Sequence, residues 1–290
     1  MNGLRSELYR LARRPMPWVL LGLIALLIIA LYGLLFASIG AQEQAANAQP
    51  GGSGQQGVES LKRILMLRAV PEFTAGLAQA IAVVFGVILA SSSIGTEYAW
   101  GTLRTMIPRT GRRRFIGAKL LSLAGFAFLL TLVAFLAGIL GALAVSTLGG
   151  FDRSVDPGFL ARLAGAIGRT WFVELPFLAM AFGIAVWTRS SAAGIAATLI
   201  VFFVEGAVTG ILAGLGPNYA GIGNGLLARN VTSIARLNAA PGAPVSPQAA
   251  AGAAQLLDPG LAALILAAYT VLFVGIAVWR FLRKDIAATS

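Results

Sequence analysis

The stretch Gly95–Lys119 reads GTEYAWGTLRTMIPRTGRRRFIGAK and separates two long runs of apolar residues. It carries six of the 22 basic residues of the chain. A helix needs about 20 apolar residues to cross the hydrocarbon core of a bilayer, and both flanking runs are at least that long. The stretch is therefore interpreted as a polar loop between two membrane-spanning helices.

The composition of the 290 residues extends this interpretation to the whole chain. Hydrophobic residues make up 58% and charged residues only 11%, whereas a soluble domain carries about 25% charged residues. The sequence predicts an all-α polytopic membrane protein, a single transmembrane domain over residues 1–290. Six spans are predicted: Pro17–Ala37, Phe73–Ile94, Leu120–Thr147, Gly165–Trp187, Ala192–Leu215 and Leu261–Leu282.

The charges divide unequally between the two sides of the predicted membrane. With both termini inside, the cytoplasmic side holds 14 of the 22 basic residues and three of the 11 acidic ones. This asymmetry follows the positive-inside rule. The net charge of +11 is then explained by topology and contact with anionic lipids, which argues against a nucleic-acid partner. The abundance of Ala, Gly and Arg is typical of a GC-rich bacterial genome, and we expect a bacterial inner-membrane protein.

The connecting segments also carry structural signals. Residues 1–14 place Leu4, Leu8 and Leu11 at helical spacing among charged residues, which predicts an interfacial helix. Outer loops are expected at 38–72 and 216–260, both with short amphipathic helices. In the second of these, Ser246-Pro247 is typical of a helix start, with the helix running to Leu257. Residues 95–119 form the main cytoplasmic loop.

Catalytic signals are missing from the sequence. Cysteine and histidine are absent, which argues against zinc chemistry and thiol or imidazole catalysis. No Gly-Lys-Ser/Thr phosphate loop occurs. We therefore predict no catalytic residue, metal site or cofactor in this chain, and an ATP-driven process would need its ATPase on another subunit.

Within the main cytoplasmic loop, Trp100, Leu103 and Ile107 fall on one face of a helix expected over Tyr98–Ile107. Pro108 and Gly111 would end this helix. The residue pattern fits equally well a segment that seals the membrane face and a segment on which another protein docks.

A family resemblance favours docking. Glu97-Tyr98-x-x-Gly101-Thr102-Leu103, followed by Pro108-Arg109 and Gly117-x-Lys119, resembles the signature between the second and third spans of type 2 ABC transporter permeases. The resemblance implies a coupling helix that sits in a groove of a separate ATP-binding subunit. The interface it implies comprises Glu97, Tyr98, Trp100, Gly101, Thr102, Leu103, Pro108 and Arg109, with a smaller contact at Arg189 between spans four and five.

The same resemblance implies an exporter permease subunit, which pairs with a second permease subunit, expected to be identical, and two ATP-binding subunits. ATP and Mg²⁺ would then be bound by these partners. The alternatives are an ion-coupled carrier working alone and a membrane scaffold. Inverted repeats, which many carriers show, are not visible in the sequence.

Three charged residues fall inside predicted spans: Arg169, Glu174 and Glu205. Charges at this depth are costly and are candidates for functional sites. The two glutamates are at similar depths in adjacent antiparallel spans. We expect either that Arg169 neutralises one of them in a structural ion pair or that they face a translocation cavity.

Overall fold

A computed structural model describes residues 2–48, 54–103, 105, 111–215, 223–238 and 256–283. The regular structure in these ranges is helical, with no strand. The α-helices, in chain order, are α1 (Asn2–Arg13), α2 (Pro15–Ala48), α3 (Gly54–Leu65), α4 (Val70–Ala99), α5 (Arg112–Gly149), α6 (Phe159–Thr188), α7 (Ser191–Leu215), α8 (Leu227–Ala235) and α9 (Pro259–Arg283).

Six of these helices are long and apolar enough to cross a membrane, which confirms the predicted number of spans. They are α2, α4, α5, α6, α7 and α9. The largest difference at a span start is in α5, which begins at Arg112 rather than Leu120. Its 38 residues reach about 57 Å, well beyond a hydrocarbon core of about 30 Å. The extension arises because arginine is a good helix former and no proline interrupts the first turns.

The successive spans run in opposite directions, so α4, α6 and α9 finish where α2, α5 and α7 begin. We call this the α1 end, because α1 also lies there. Helices α4 and α6 share the most extensive contact in the bundle. In the most apolar stretch of α6, 72% of the residues are buried, against 6% in α7. Helix α6 is therefore central, and most of α7 faces outward.

Small residues allow the closest approaches between spans. A Cβ atom placed on Gly194 of α7 would lie 2.8 Å from the Ala181 carbonyl oxygen of α6. A Cβ atom on Gly141 of α5 would lie 2.9 Å from the ring of Tyr32 on α2. Such positions accept only glycine, because a methyl group would separate the helices.

The short helices cover the end opposite α1. Helix α3 packs against α2, and Lys62 forms an ion pair with Glu43 at 2.6 Å. Helix α8 lies against α7 and α9, and the Tyr269 hydroxyl donates a hydrogen bond to the Gly225 carbonyl at 2.8 Å. The helix expected over Ser246–Leu257 falls mostly outside the described residues.

Candidate functional site: the α1 end of the bundle

The second span continues further than the sequence indicated. Helix α4 runs through Ala99, so the expected start of a separate helix at Tyr98 is wrong. Trp100 caps the end of the helix, and Gly101 follows it with a φ of +65°, in the left-handed region that favours glycine at this position. The Trp100 amide donates to the Thr96 carbonyl at 2.9 Å and closes the last turn. Leu103 and Thr105 are helical again, whereas Arg104, Met106, Ile107, Pro108 and Arg109 lie outside the described residues.

The continuation of α4 has a physical reason in the burial of Glu97. Its side chain is 1% exposed, and its Oε1 accepts a hydrogen bond from Lys119 Nζ at 2.7 Å. Lys119 Nζ also donates to the Ser93 carbonyl at 2.9 Å. Since Ser93 and Glu97 are one helical turn apart, one ammonium group binds both only while α4 stays helical. The ammonium group of Lys119 therefore holds the last turn of α4, and we call its two hydrogen bonds the Lys119 clamp.

This clamp extends to the N-terminal helix. Glu7 of α1 is buried, and its Oε2 lies 3.7 Å from Lys119 Nζ. Its Oε1 lies 2.5 Å from Arg10 Nη2, and Arg14 Nη2 lies 3.9 Å from Glu97 Oε1. We call these five residues, on α1, α4, α5 and the α1–α2 junction, the charge cluster. A small cleft lined in part by Glu7, Arg10, Arg14 and Lys119 lies beside it. The alternating charges offset the cost of burying each one.

The part played by Glu7 was missed in the sequence. A helical signal was nevertheless available, because Leu4, Glu7, Leu11 and Arg14 recur at i, i+3, i+7 and i+10 and share one face. The structure turns this face inward and leaves Leu8 48% exposed. Choosing the apolar residues alone favoured a face that included Leu8, because a buried ion pair cannot be recognised until its partner is known.

The residues expected at the interface divide into buried and exposed groups. Glu97 and Leu103 are buried, whereas Trp100 is 73% exposed. Gly101 is exposed, and Tyr98 and Thr102 are partly buried. At the end of α4, the indole ring of Trp100 therefore faces outward, whereas the carboxylate of Glu97 points into the bundle.

The connection between α6 and α7 lies beside this turn. Arg189 adopts a φ of 59°, the only positive φ of a non-glycine residue in the described chain. Its guanidinium lies 6.0 Å from the centre of the Tyr98 ring. A Cβ atom on Gly95 would lie 2.5 Å from the Ser191 backbone nitrogen. The structure therefore brings together the two segments for which the sequence predicted separate contacts.

Three consecutive arginines within residues 95–119 form the first turn of α5. Arg113 and Arg114 are exposed in its first turn. Arg112 donates from Nη1 to the Leu282 carbonyl at 3.0 Å and ties the start of α5 to the end of α9. Cations near a helix C-terminus are favourable, because carbonyl groups there lack helical partners.

Glu174 occupies the middle of the central helix α6. Its side chain is fully buried, and its Oε1 lies 3.0 Å from the Thr131 hydroxyl of α5. Within the described residues, its Oε2 has no hydrogen-bond partner.

Glu205 and Arg169 form hydrogen bonds with other residues instead of an ion pair with each other. Glu205 of α7 is partly exposed, and its Oε2 accepts a hydrogen bond from the Ala228 amide at 3.0 Å at the start of α8. Arg169 Nε donates to Asn238 Oδ1 at 2.6 Å. No ion pair joins Arg169 to either glutamate in the part of the chain that the structure describes. The three charges fasten different helices instead of forming one group.

Metal ligands are not grouped in the described ranges, where no three residues among His, Cys, Asp and Glu come together. The arrangement at the α1 end places the exposed Trp100 turn beside the connection between α6 and α7.

These features define a class, the multi-pass α-helical membrane protein with an ordered polar end. The family model described as "ABC-2 family transporter protein" matches residues 1–286, and the chain therefore belongs to the ABC-2 transporter family. The resemblance inferred from the loop signature is confirmed. A search of the curated proteins gave no match. Members of the family are membrane components, generally not catalytic, and generally pair with ATP-binding subunits.

Proposed function

We propose that this chain is the membrane-spanning subunit of an ATP-driven exporter and that a separate ATP-binding subunit docks on its α1 end. The docking surface comprises Trp100, Gly101, Thr102 and Arg189, together with the undescribed residues up to Arg109. ATP and Mg²⁺ are bound by the partner. The observation that carries this proposal is the juxtaposition of the exposed Trp100 turn and the α6–α7 connection in a member of this family.

The orientation follows from charge. The α1 end holds most of the basic residues, and under the positive-inside rule it faces the cytoplasm, where ATP is available. Helix α1 then lies in the cytoplasmic interface with Leu8 and Tyr9 towards lipid, since both are exposed. Both chain termini are on this side, in the inner membrane of a bacterium.

Coupling rests on the continuity of α4. The docking surface follows directly from a helix of 30 residues whose last turn is held by Lys119. A displacement of Trp100 is therefore transmitted along α4 to the central helix α6, with which α4 shares an extensive contact. Closure of two ATP-bound partners would shift these helices and alternate access to a path between two permease subunits.

A dimer supplies that path. Helix α7 presents an apolar outward face that includes Ile200, Phe203, Val204 and Ile211, each more than half exposed. In this proposal the second permease subunit is an identical chain, and the remaining outward surface contacts lipid.

Co-purification of this chain with an ABC ATP-binding subunit from the same genome tests the proposal. Trp100→Ala should weaken the complex and lower its transport-coupled ATPase activity, because a large exposed aromatic ring is a typical hot spot. Leu160→Ala is the matched control, since Leu160 is 74% exposed at the opposite end. Equal binding by both variants would contradict docking at Trp100. Transport by the purified chain without any ATPase would instead support an ion-coupled carrier, the alternative that the buried Glu174 favours.

A further inference from the structure

The middle of the bundle contains an acid, Glu174, that has no charged partner among the described residues. Glu174 is the 16th of the 30 residues of α6 and is fully buried. Its only described hydrogen-bond partner is Thr131 of α5, which is also fully buried. An ionised carboxylate at this depth requires a cation or several donors, because neither water nor lipid solvates it.

Among the residues that the structure describes, no charged group supplies that compensation. No ion pair joins Glu174 to any charged residue that the structure describes on the elements packed against α6, or on α6 itself. These residues are Glu72, Glu97, Arg112, Arg113, Arg114, Lys119, Arg162, Arg169, Glu205, Arg229, Arg236, Arg280 and Arg283.

The Thr131 hydroxyl makes two short contacts but has one hydrogen to donate. Its hydroxyl oxygen lies 3.0 Å from the Ala127 carbonyl and 3.0 Å from Glu174 Oε1. A threonine hydroxyl has one hydrogen to donate, and a backbone carbonyl can only accept. When that hydrogen is donated to Ala127, the second short contact becomes a full hydrogen bond only if Glu174 donates.

We propose that Glu174 is a proton-binding site, held as a neutral carboxylic acid that donates from Oε1 to Thr131 while Thr131 donates to Ala127. The remaining oxygen, Oε2, is then an uncharged carbonyl. This agrees with its lack of a partner in the described residues, because an unpaired neutral acceptor is less costly than an unpaired charge. The ligand is a single proton, and the site joins α5 to α6 across the bundle.

The proton on Glu174 completes a hydrogen bond that joins α5 and α6. Loss of the proton would leave Glu174 and the Ala127 carbonyl competing for one hydroxyl hydrogen. The resulting charge would require water to enter between α5 and α6, so separation of these helices and release of the proton would occur together. This inference concerns the chain itself and holds whether or not an ATP-binding subunit docks on it.

Infrared spectroscopy of the purified full chain in lipid nanodiscs at neutral pH tests the proposal. A protonated carboxylic acid has a carbonyl stretch well separated from carboxylate bands, and this band shifts when the sample is exchanged into D₂O. We expect Glu174→Gln to lose one such band. The control, Glu205→Gln, should keep it, because Glu205 is partly exposed and accepts a backbone hydrogen bond. Loss of no band in Glu174→Gln would overturn the proposal.

A second variant covers the case in which Glu174→Gln does not fold. Thr131→Val removes the acceptor of the acid proton at almost constant side-chain volume. The Glu174 band should then move to the higher frequency of an acid without a hydrogen bond. Thr131→Ser, which keeps the hydroxyl, should leave the band in place. An identical acid band in the Val and Ser variants would refute the hydrogen-bond chain.

Discussion

The buried ammonium group of Lys119 makes the sharpest stability prediction. In the variant Lys119→Met, Glu97 would lose its contact at 2.7 Å and would keep, among the described residues, the longer ion pair with Arg14 at 3.9 Å. Glu7 would lose its contact at 3.7 Å and keep Arg10. Removing one partner of a buried ion pair costs about 3–5 kcal/mol, because the remaining charge is left uncompensated.

This cost can be measured as a shift in thermal unfolding. At about 2 °C per kcal/mol for a large chain, the melting temperature should fall by roughly 6–10 °C. Tryptophan fluorescence of the purified protein in nanodiscs reports the transition. The matched control is Arg113→Met, which removes an exposed cation from the same helix and should change stability by less than about 0.5 kcal/mol.

A double variant separates the ion pair from general packing. Lys119→Met combined with Glu97→Gln removes both charges, so it should be more stable than Lys119→Met alone. The single variant Glu97→Gln completes the cycle, and the difference between the loss of stability in the double variant and the sum of the two single losses is the interaction energy of the pair. If the two substitutions lower stability additively, or if Lys119→Met melts with Arg113→Met, the clamp between α4 and α5 is not supported.

Gly95→Ala should destabilise by about 1–3 kcal/mol, because the new methyl group would meet the Ser191 backbone, which cannot rotate away. Gly125→Ala on α5, where nothing lies within 4 Å, should instead raise stability by about 0.5–1 kcal/mol in the same unfolding assay, and equal effects would contradict the close contact. Glu205→Ala should speed amide exchange in α8 about five-fold, because loss of a helix cap costs about 1 kcal/mol. Glu205→Gln keeps an acceptor for the Ala228 amide and should have a smaller effect, and unchanged exchange in both variants would exclude the cap.

The spans could be predicted because the membrane imposes one rule on each of them separately. A run of about 20 apolar residues satisfies its own backbone hydrogen bonds as a helix, whatever its neighbours are. The ends were less predictable. Helix α4 was expected to stop at Ile94, yet the contact between Glu97 and Lys119 keeps its last turn helical. Local hydropathy contains no information about a partner 22 positions away.

The polar residues illustrate the same limit. Arg169, Glu174 and Glu205 were recognised as unusual by their depth alone, but their partners, Asn238, Thr131 and Ala228, come from other elements. The spacing of Glu7 from Leu4 and Leu11 places it on the inward face, but the sequence does not show which cation it meets there. An acidic residue between two leucines forms a buried ion pair only when a basic residue lies on the facing helix. For Glu7 that residue is Lys119, which the packing of α1 against α5 brings close.

By itself, the sequence determined the class of protein and the number of spans, because both follow from the transfer of individual segments between water and lipid. Only the tertiary structure decided which face of α1 turns inward, that the Trp100 turn meets the α6–α7 connection, and that Glu174 has a hydroxyl for its partner. These depend on distances between segments far apart in the chain, which are set when helices pack and not when each one forms.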